Sequence, residues 1–215
     1  MKKYTTFVLL MSISMGIFAN ETKEQKFWNW FVKNEANISL DSSSQNKSIE
    51  QLSQKLTEYK EGLSFEVSKE IDGKREFIIS ADGVAELFPY VIKLANSAPE
   101  LKKWSVLSFR PRMDKFKEIK LTYGGREFDP NNIWIYPIRD GNFFDLIVYL
   151  PNYSEQDRNL LIAGCYILLD ATLGEYDVVK GIRHIDFQKI PEDSLKEGLL
   201  PFVELRNEFD RRPKM

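Results

Sequence analysis

The hydrophobic pattern of the chain centres on a run of ten residues, 160–169, that contains no charged or amide side chain. Ser154 and Asp157 form a capping-box-like start before this run, and Gly174 follows it as a residue suited to a left-handed helix end. The pattern predicts a helix from about Glu155 to Leu173. Because a helix that is apolar all round is buried, and because the run is shorter than the roughly 20 residues that span a bilayer, we expect this helix at the centre of the core.

Four aromatic residues near the N-terminus, Phe27, Trp28, Trp30 and Phe31, would cover an arc of roughly 160° on a helix. Such an arc predicts a helix that docks on the core. The alternative interpretation is an exposed aromatic patch, with Trp28 and Trp30 in contact with a partner or a membrane surface.

Helical spacing also predicts helices over 48–59 and 87–98, and a terminal helical region that Pro201 divides into two pieces. Alternation of apolar and polar residues predicts strands over 63–67, 76–80, 104–110, 117–123, 132–139, 143–150 and 178–187. So many consecutive strands do not suit a doubly wound parallel fold. We therefore predict an α+β fold, with a mostly antiparallel sheet of about six to seven strands covered by helices and one central buried helix.

The first residues have the order of a secretory signal peptide. Lys2 and Lys3 precede an apolar run over 7–18, and Ala19 is a small residue at the expected cleavage position. We expect residues 1–19 to be removed, since the run is short for an uncleaved membrane anchor. The short basic and apolar regions are typical of bacteria, which predicts a periplasmic or secreted protein. No linker divides residues 20–215, so we predict a single α+β domain there.

Charge and cysteine content narrow the classes of partner and site. Removing Lys2 and Lys3 from the 30 basic residues leaves 28 against 32 acidic residues, so the mature net charge is −4. Nucleic acid is therefore not expected as a partner. With Cys165 the single cysteine, no intramolecular disulfide can form. After signal cleavage the sequence predicts no transmembrane segment.

The sequence contains little that indicates chemistry. One histidine and one cysteine do not supply the ligands of a zinc site, and nucleotide-binding and nucleophile-elbow patterns do not occur, so we predict no metal and no cofactor. His184 and Asp186 are weak catalytic candidates, because strand alternation would place them on one face together with Ile182. Such a pair is more often structural, and sequence spacing does not select a carboxylate pair among 32 acidic residues.

Arg110 and Arg112 lie at a Pro111 corner in a basic stretch of the chain. One interpretation is a sheet edge that charge protects from pairing. The other is a contact of both arginines with an anionic ligand or an acidic protein partner. Asp82 is interpreted as a helix N-cap and Glu175 as a surface residue after the central helix.

Five short motifs occur in order along the chain: Phe27-Trp28-x-Trp30-Phe31, Ile79-Ser80-Ala81-Asp82-Gly83, Ala98-Pro99 followed by Trp104, Phe109-x-Pro111-Arg112, and Leu168-Leu169-Asp170-x-x-Leu173-Gly174-Glu175. Together they resemble a family of bacterial proteins known only as a domain of unknown function. The resemblance spans most of the chain after the predicted signal peptide. It implies one domain rather than two, and it implies no activity, substrate or catalytic residue.

Three functions fit these observations. The leading hypothesis is an exported, non-enzymatic protein that binds another macromolecule, and we expect that macromolecule to be a protein, as for immunity and inhibitor proteins. An envelope-acting hydrolase that uses carboxylates or His184 is the second, and a structural envelope component is the third. A deep pocket that gathers His184 or paired carboxylates would favour the enzyme, whereas a flat patch with exposed aromatic and arginine side chains would favour the binding protein.

Overall fold

The computed structural model describes residues 20–38, 45–192 and 198–211. Its helices are α1 Lys23–Asn34, α2 Gln45–Tyr59, α3 Phe88–Asn96, α4 Arg158–Leu173, α5 Glu175–Gly181 and α6 Leu205–Asp210. Its strands are β1 Ser64–Val67, β2 Arg75–Ser80, β3 Trp104–Ser108, β4 Leu121–Tyr123, β5 Arg126–Phe128, β6 Trp134–Asp140, β7 Phe143–Leu150, β8 Ile182–Lys189 and β9 Leu200–Pro201. The predicted signal peptide, residues 1–19, lies outside the described residues. Within the described ranges, none of the helices has the length and apolar character needed to cross a membrane.

In the described part of the chain the strands form three sheets, in the orders β1-β2-β3, β4-β5 and β8-β7-β6-β9. The α+β prediction is confirmed, but the prediction of one sheet of six to seven strands is wrong. Each strand pairs mainly with its neighbours in sequence. The segment 109–133 lies between β1–β3 and β6–β9, so these strands do not join into one sheet. Two pairings, β2 with β3 and β7 with β8, are parallel, while the other four are antiparallel.

The first and last sheets contain the same ββαβ unit. In each, an antiparallel hairpin is followed by a helical connection to a third strand that runs parallel to the second. The connection is α3 in the first unit and α4 with α5 in the second. The units also end alike, since Phe109 N donates to Ile79 O at 2.8 Å and Ile190 N donates to Leu150 O at 3.3 Å. The described part of the chain therefore forms two lobes, each built on this unit: the first lobe contains α1–α3 and β1–β3, and the second contains α4–α6 and β4–β9.

The first lobe encloses an aromatic core beneath α1. Phe27, Trp28 and Phe31 are buried against Phe77 of β2, and their ring centroids lie 5.1–6.1 Å from that of Phe77. α1 begins with a capping box, in which Thr22 and Gln25 bond reciprocally. Burying large apolar side chains contributes roughly 1.5–3 kcal/mol each. The prediction of a docking helix is confirmed.

The second lobe packs α4 against β6 and β7. Leu161, Cys165, Leu168 and Leu169 belong to its core, which also contains residues of both strands and of α6. Gly164 is required there, because a Cβ atom at this position would lie 2.2 Å from Phe128 Cζ. The central helix is confirmed, although it begins three residues after the predicted start.

Burial of α4 on all sides is not what the structure shows. Tyr166 and Ile167 are 42% and 41% exposed. They lie on the side of α4 that faces the first lobe, where an open groove separates α4 from the sheet. The apolar residues of α4 thus serve two purposes: some pack in the core and others line the groove. Sequence periodicity alone does not distinguish these two environments.

Two strand predictions fail for local reasons. The predicted strand 178–187 is helical up to Gly181, and β8 begins only at Ile182. The apolar residue Val178, which suggested a strand, packs into the core from α5 instead. The predicted strand 117–123 is extended only over β4, which turns back through Gly124 and Gly125 into β5. Both glycines have positive φ angles of 56° and 77°, which favour this tight turn.

Of the C-terminal region, the predicted helix start at Ser194 and Glu197 lies outside the described residues. Pro201 ends the short edge strand β9. The helical piece after it is confirmed, since Phe202, Leu205 and Phe209 are buried in the core of the second lobe.

Candidate functional site

A groove of about 1070 Å³ lies between the two lobes. One wall is the face of the first sheet opposite α1, since Ile78 lines the groove whereas its neighbours Phe77 and Ile79 belong to the aromatic core. The other wall is formed by α4, α5 and the start of β8. The main apolar side chains of the groove are Ile78, Met113, Ile167, Val178, Val179 and Ile182.

Charged side chains also line the groove: Glu66, Glu76, Asp82, Arg110, Asp170 and Arg183. Arg183 is held by Asp145 of β7 and Asp140, each with a nitrogen–oxygen distance of 2.7 Å. Its charge is therefore balanced within its own lobe. The acidic groups of the groove outnumber the remaining cation, so the groove is acidic.

Arg110 is the centre of this charge cluster. Its guanidinium donates to Glu66 and, at 2.5 Å, to Asp82. Nη1 of Arg110 lies 3.5 Å from Asp170 Oδ2 and 3.9 Å from Glu175 Oε2. Burial disfavours the charged guanidinium, but the hydrogen bonds to Asp82 and Glu66 outweigh burial and raise the pKa of Arg110. One cation thus bridges carboxylates from both lobes.

Glu175 is fully buried beneath this cluster. Its Oε1 accepts hydrogen bonds from the backbone N–H groups of Ala81 at 2.9 Å and Gly83 at 3.3 Å, and its Oε2 accepts one from Arg110 N at 3.3 Å. A carboxylate of the second lobe therefore accepts hydrogen bonds from backbone N–H groups in the loops that follow β2 and β3 of the first lobe. Three backbone donors compensate much of the cost of burying its charge.

Gly174 determines where Glu175 lies. Gly174 ends α4 with φ 80°, a left-handed conformation that side chains rarely adopt. A Cβ atom there would also lie 3.3 Å from the carbonyl oxygen of Arg110. Glu175 consequently starts α5 at the lobe junction, and its assignment as a surface residue is wrong.

Asp82 is not a helix N-cap. It occupies a turn with φ 47°, where its own N–H donates to Ser80 Oγ at 3.0 Å. Burial raises the pKa of Asp82, but hydrogen bonding and the charge of Arg110 outweigh this effect, so the pKa lies below its ordinary value. Asp82 therefore acts as an ionised partner of Arg110.

Asp170, on the last turn of α4, is the carboxyl group of the groove whose pKa is shifted most. Burial raises the pKa of Asp170 to about 7, although Arg110 opposes the shift. Arg110 is shared with Glu66, Asp82 and Glu175, and the negative charge of Glu175 adds to the increase. Asp170 can therefore gain or lose a proton near neutral pH.

Arg112 fastens the segment that follows β3 to the second lobe. Its Nε donates to the carbonyl oxygen of Leu173 at 2.8 Å, at the end of α4, and its Nη atoms pair with Asp177 at 2.7 Å and Asp210 at 2.8 Å. Like Arg110, Arg112 is occupied by groups of its own chain. The structure thus favours an intramolecular role for both arginines that the sequence suggested for partner binding.

The structure does not bring His184 and Asp186 into a catalytic arrangement. A bulge opposite Phe144 and Asp145 shifts the register of β8. His184 and Ile182 therefore lie on opposite faces, although the sequence predicted that they share one. His184 is exposed. Asp186 accepts hydrogen bonds from Phe187 N at 2.9 Å and Gln188 Nε2 at 2.7 Å. Neither residue lines the groove.

The two tryptophans that the sequence suggests for partner contact lie in different surroundings. Trp28 is only 3% exposed, and its Nε1 donates to the carbonyl oxygen of Leu94 at 2.9 Å, so its ring belongs to the core. Trp30 is partly exposed and lines a different cavity, between α1 and α2.

The remaining reactive side chain, Cys165, is buried in α4, and burial raises the pKa of its thiol to about 12. A buried, protonated thiol is not a nucleophile. Within the described ranges, three or more histidine, cysteine or acidic side chains are nowhere grouped to hold a metal ion. At the acidic cluster of the groove, the position between the carboxylates is occupied by Arg110.

No protein-family model, curated protein or solved structure matches the chain. The resemblance suggested by the five motifs therefore stays a prediction. The structure does show that three of these motifs lie at the lobe junction: two contain Asp82, Asp170 and Glu175, and Arg110 occupies the unspecified position of the third.

The residues that sequence reasoning missed are Asp170 and Glu175. Both follow the apolar run, where charged side chains normally mark the end of a buried segment. The available signal was Gly174 between them, which indicates a sharp change of direction close to the core. Sequence could not indicate which loops of the first lobe meet that turn.

Proposed function

We propose that this chain is an exported protein that binds another protein, and that the groove between the lobes holds an extended segment of that partner. The observation that carries the proposal is the groove itself, with exposed apolar side chains from α4 and an acidic rim. Its volume of about 1070 Å³ exceeds what one side chain fills. Export is supported only by the order of residues 1–19.

The charged side chains that line the groove, which form its rim, determine which partner segment would be complementary in charge. Arg110 and Arg183 are neutralised by carboxylates of the chain, Glu76 adds a negative charge, and Asp170 adds a further one when it is ionised. An acidic rim around an apolar surface is complementary to a segment with apolar side chains and at least one lysine or arginine. This differs from the acidic partner that the two arginines alone would suggest.

The proposal is tested by selecting a displayed library of random nonapeptides on the purified protein. We expect the selected peptides to be enriched in apolar residues together with lysine or arginine. The groove variant Ile167→Lys should lose this selection, because it introduces a cation and a longer side chain at a 41% exposed groove position. The matched control is Ile71→Lys, which changes an isoleucine that is 70% exposed outside the groove.

Retention of the same peptides by Ile167→Lys would refute binding in the groove. Enrichment of acidic peptides would refute the inferred charge of the segment. Loss of selection in both lysine variants would show a general effect of added positive charge and would also count against the groove.

A hydrolase that acts on envelope polymers is the second candidate, and Asp170 is the observation that favours it. A carboxyl group with a pKa of about 7 in a groove can serve as a general acid. The binding function is preferred because the other carboxylates near Asp170 are already bound to Arg110 or to backbone N–H groups. Release of soluble fragments from dye-labelled cell-wall polymer, and its loss in Asp170→Asn, would favour the hydrolase.

A further inference from the structure

A second concave site lies between α1 and α2, on the opposite side of the first sheet from the groove. Its volume is about 350 Å³. The opposite placement follows because α1 packs on Phe77, whereas Ile78, the next residue of the same strand, lines the groove. The two cavities are therefore separated by the sheet and by the aromatic core.

The sequences of the two helices explain what lines this cavity. On α1, Lys23, Lys26, Phe27 and Trp30 follow the spacing i, i+3, i+4 and i+7, which places them along one face. Facing them, α2 contributes Lys55, Glu58 and Tyr59 with the spacing i, i+3 and i+4. Two lysines of α1 and one lysine of α2 thus line the cavity beside aromatic rings.

The ammonium groups of Lys23 and Lys26 are available. Lys55 is paired with Glu58 at 2.6 Å, and the nearby acidic residue Glu24 is buried and paired with Lys93 at 3.0 Å. Within residues 20–38, 45–192 and 198–211, no carboxylate lies within 4.0 Å of either available ammonium group. The cavity is therefore locally positive on a chain whose net charge is negative.

The aromatic part of the cavity is also available. Trp30 is only partly buried, whereas Phe27 is buried and forms the apolar floor. The hydroxyl group of Tyr59 donates to the carbonyl oxygen of Tyr90 at 3.1 Å, which fixes its ring against the first lobe. A flat ring that entered the cavity would contact the indole of Trp30.

We infer that the cavity between α1 and α2 is a binding site for a small anion with a planar apolar group, such as an aromatic carboxylate or an aryl phosphate. The anionic group would lie at Lys23 and Lys26, and the ring would lie against Trp30. Lysines attract anions as point charges without demanding a fork-like geometry, so carboxylate and phosphate are both suitable. The first turn of α1, with its partial positive charge, lies at the same end and favours an anion there.

The probe for this site is naphthalene-2-carboxylate, titrated into the purified protein by isothermal calorimetry at low salt. Two comparison compounds separate the contributions: naphthalene-2-methanol retains the ring without the charge, and acetate retains the charge without the ring. We expect measurable binding of the carboxylate, and binding of each comparison compound at least about tenfold weaker, because each lacks one of the two contacts.

Three variants locate the binding. Lys23→Gln/Lys26→Gln should weaken the affinity about fivefold to tenfold and reduce its dependence on salt. Trp30→Leu should weaken it about fivefold, since the side chain stays apolar but loses the flat ring. The matched control is Lys102→Gln/Lys103→Gln, which removes two exposed lysines of the loop before β3 and should leave the affinity within about twofold.

The inference is overturned if the protein does not bind naphthalene-2-carboxylate, or if the Lys23→Gln/Lys26→Gln and control variants bind it equally well. Equal binding of naphthalene-2-methanol would also overturn it, because it would show a nonspecific apolar contact. None of these outcomes depends on the groove between the lobes, so this site and the proposed function are tested separately.

Discussion

Glu175 and Arg110 form a reciprocal pair of hydrogen bonds across the lobe junction. The N–H of Glu175 donates to the carbonyl oxygen of Arg110 at 3.0 Å, and the N–H of Arg110 donates to the carboxylate of Glu175 at 3.3 Å. The guanidinium of the same arginine extends into the groove, where Glu66, Asp82 and Asp170 surround it. The residues that join the lobes therefore also determine the charge of the groove.

Glu175→Gln should lower the free energy of unfolding by about 2–4 kcal/mol. The carboxylate has two acceptor oxygens, and both are used, whereas glutamine would present an NH2 group to one of the backbone donors. Denaturant unfolding measures the change. Glu155→Gln is the control, because the side chain of Glu155 is 81% exposed and should have an effect below about 0.5 kcal/mol. Equal effects of the two substitutions would contradict the proposed role of Glu175.

Asp170→Asn should increase stability, and the increase should be clearly larger at pH 8 than at pH 5. The pKa of Asp170 is about 7 in the folded protein, above the value of about 4 expected in the unfolded chain. The folded state therefore binds more protons between these pH values, and the contribution of Asp170 to stability decreases as pH rises through that window. Asparagine removes this dependence while keeping the shape of the side chain.

The measurement for Asp170→Asn is denaturant unfolding at both pH values. Asp72→Asn is the control, since Asp72 lies in an exposed turn whose positive φ asparagine also accepts. The groups around Asp170 are Arg110, Glu175 and Glu66. A stability difference from the wild type that is the same at pH 5 and pH 8 would show that Asp170 does not titrate between them.

Leu168→Asp should prevent folding, whereas Ile167→Asp should change stability by about 1 kcal/mol or less. These residues are neighbours on α4, but Leu168 is buried in the core and Ile167 lines the groove. Circular dichroism and thermal melts of the two variants test the orientation of the helix. Similar melting temperatures would mean that the helix does not have one core face and one groove face.

Gly164→Ala should destabilise the protein by about 1–3 kcal/mol, although alanine favours helices by about 1 kcal/mol over glycine. The added methyl group would lie 2.2 Å from Phe128 Cζ, so the ring of Phe128 must move. A double-mutant cycle with Phe128→Leu, followed by denaturant unfolding, isolates this contact. We expect Gly164→Ala to cost less in the Phe128→Leu background, and equal costs in both backgrounds would contradict the close packing.

His184→Ala should leave both stability and the proposed peptide selection unchanged. His184 is exposed on β8 and does not line the groove. Thermal melts and peptide selection on the variant measure the two properties. A folded His184→Ala variant that no longer selects peptides would contradict the groove proposal and would restore interest in this histidine as a functional residue.

The sequence by itself determined many of the local elements and which of their faces are buried. Alternation and helical spacing predicted the hairpin of β1 and β2, both ends of strand β7, and the buried aromatic face of α1. These predictions succeed because each element buries one face, and burial leaves a periodic trace in the sequence.

The tertiary structure alone decided how the sheets divide and which charges meet. Arg110 and Glu175 are 65 residues apart, and the pairing of a loop after β3 with a turn after α4 leaves no periodic signal. The sequence also does not reveal the exposed side of α4, because an apolar residue can line either a core or a groove wall. Elements follow from local patterns, whereas the site exists only where two lobes bring distant charged and apolar groups together.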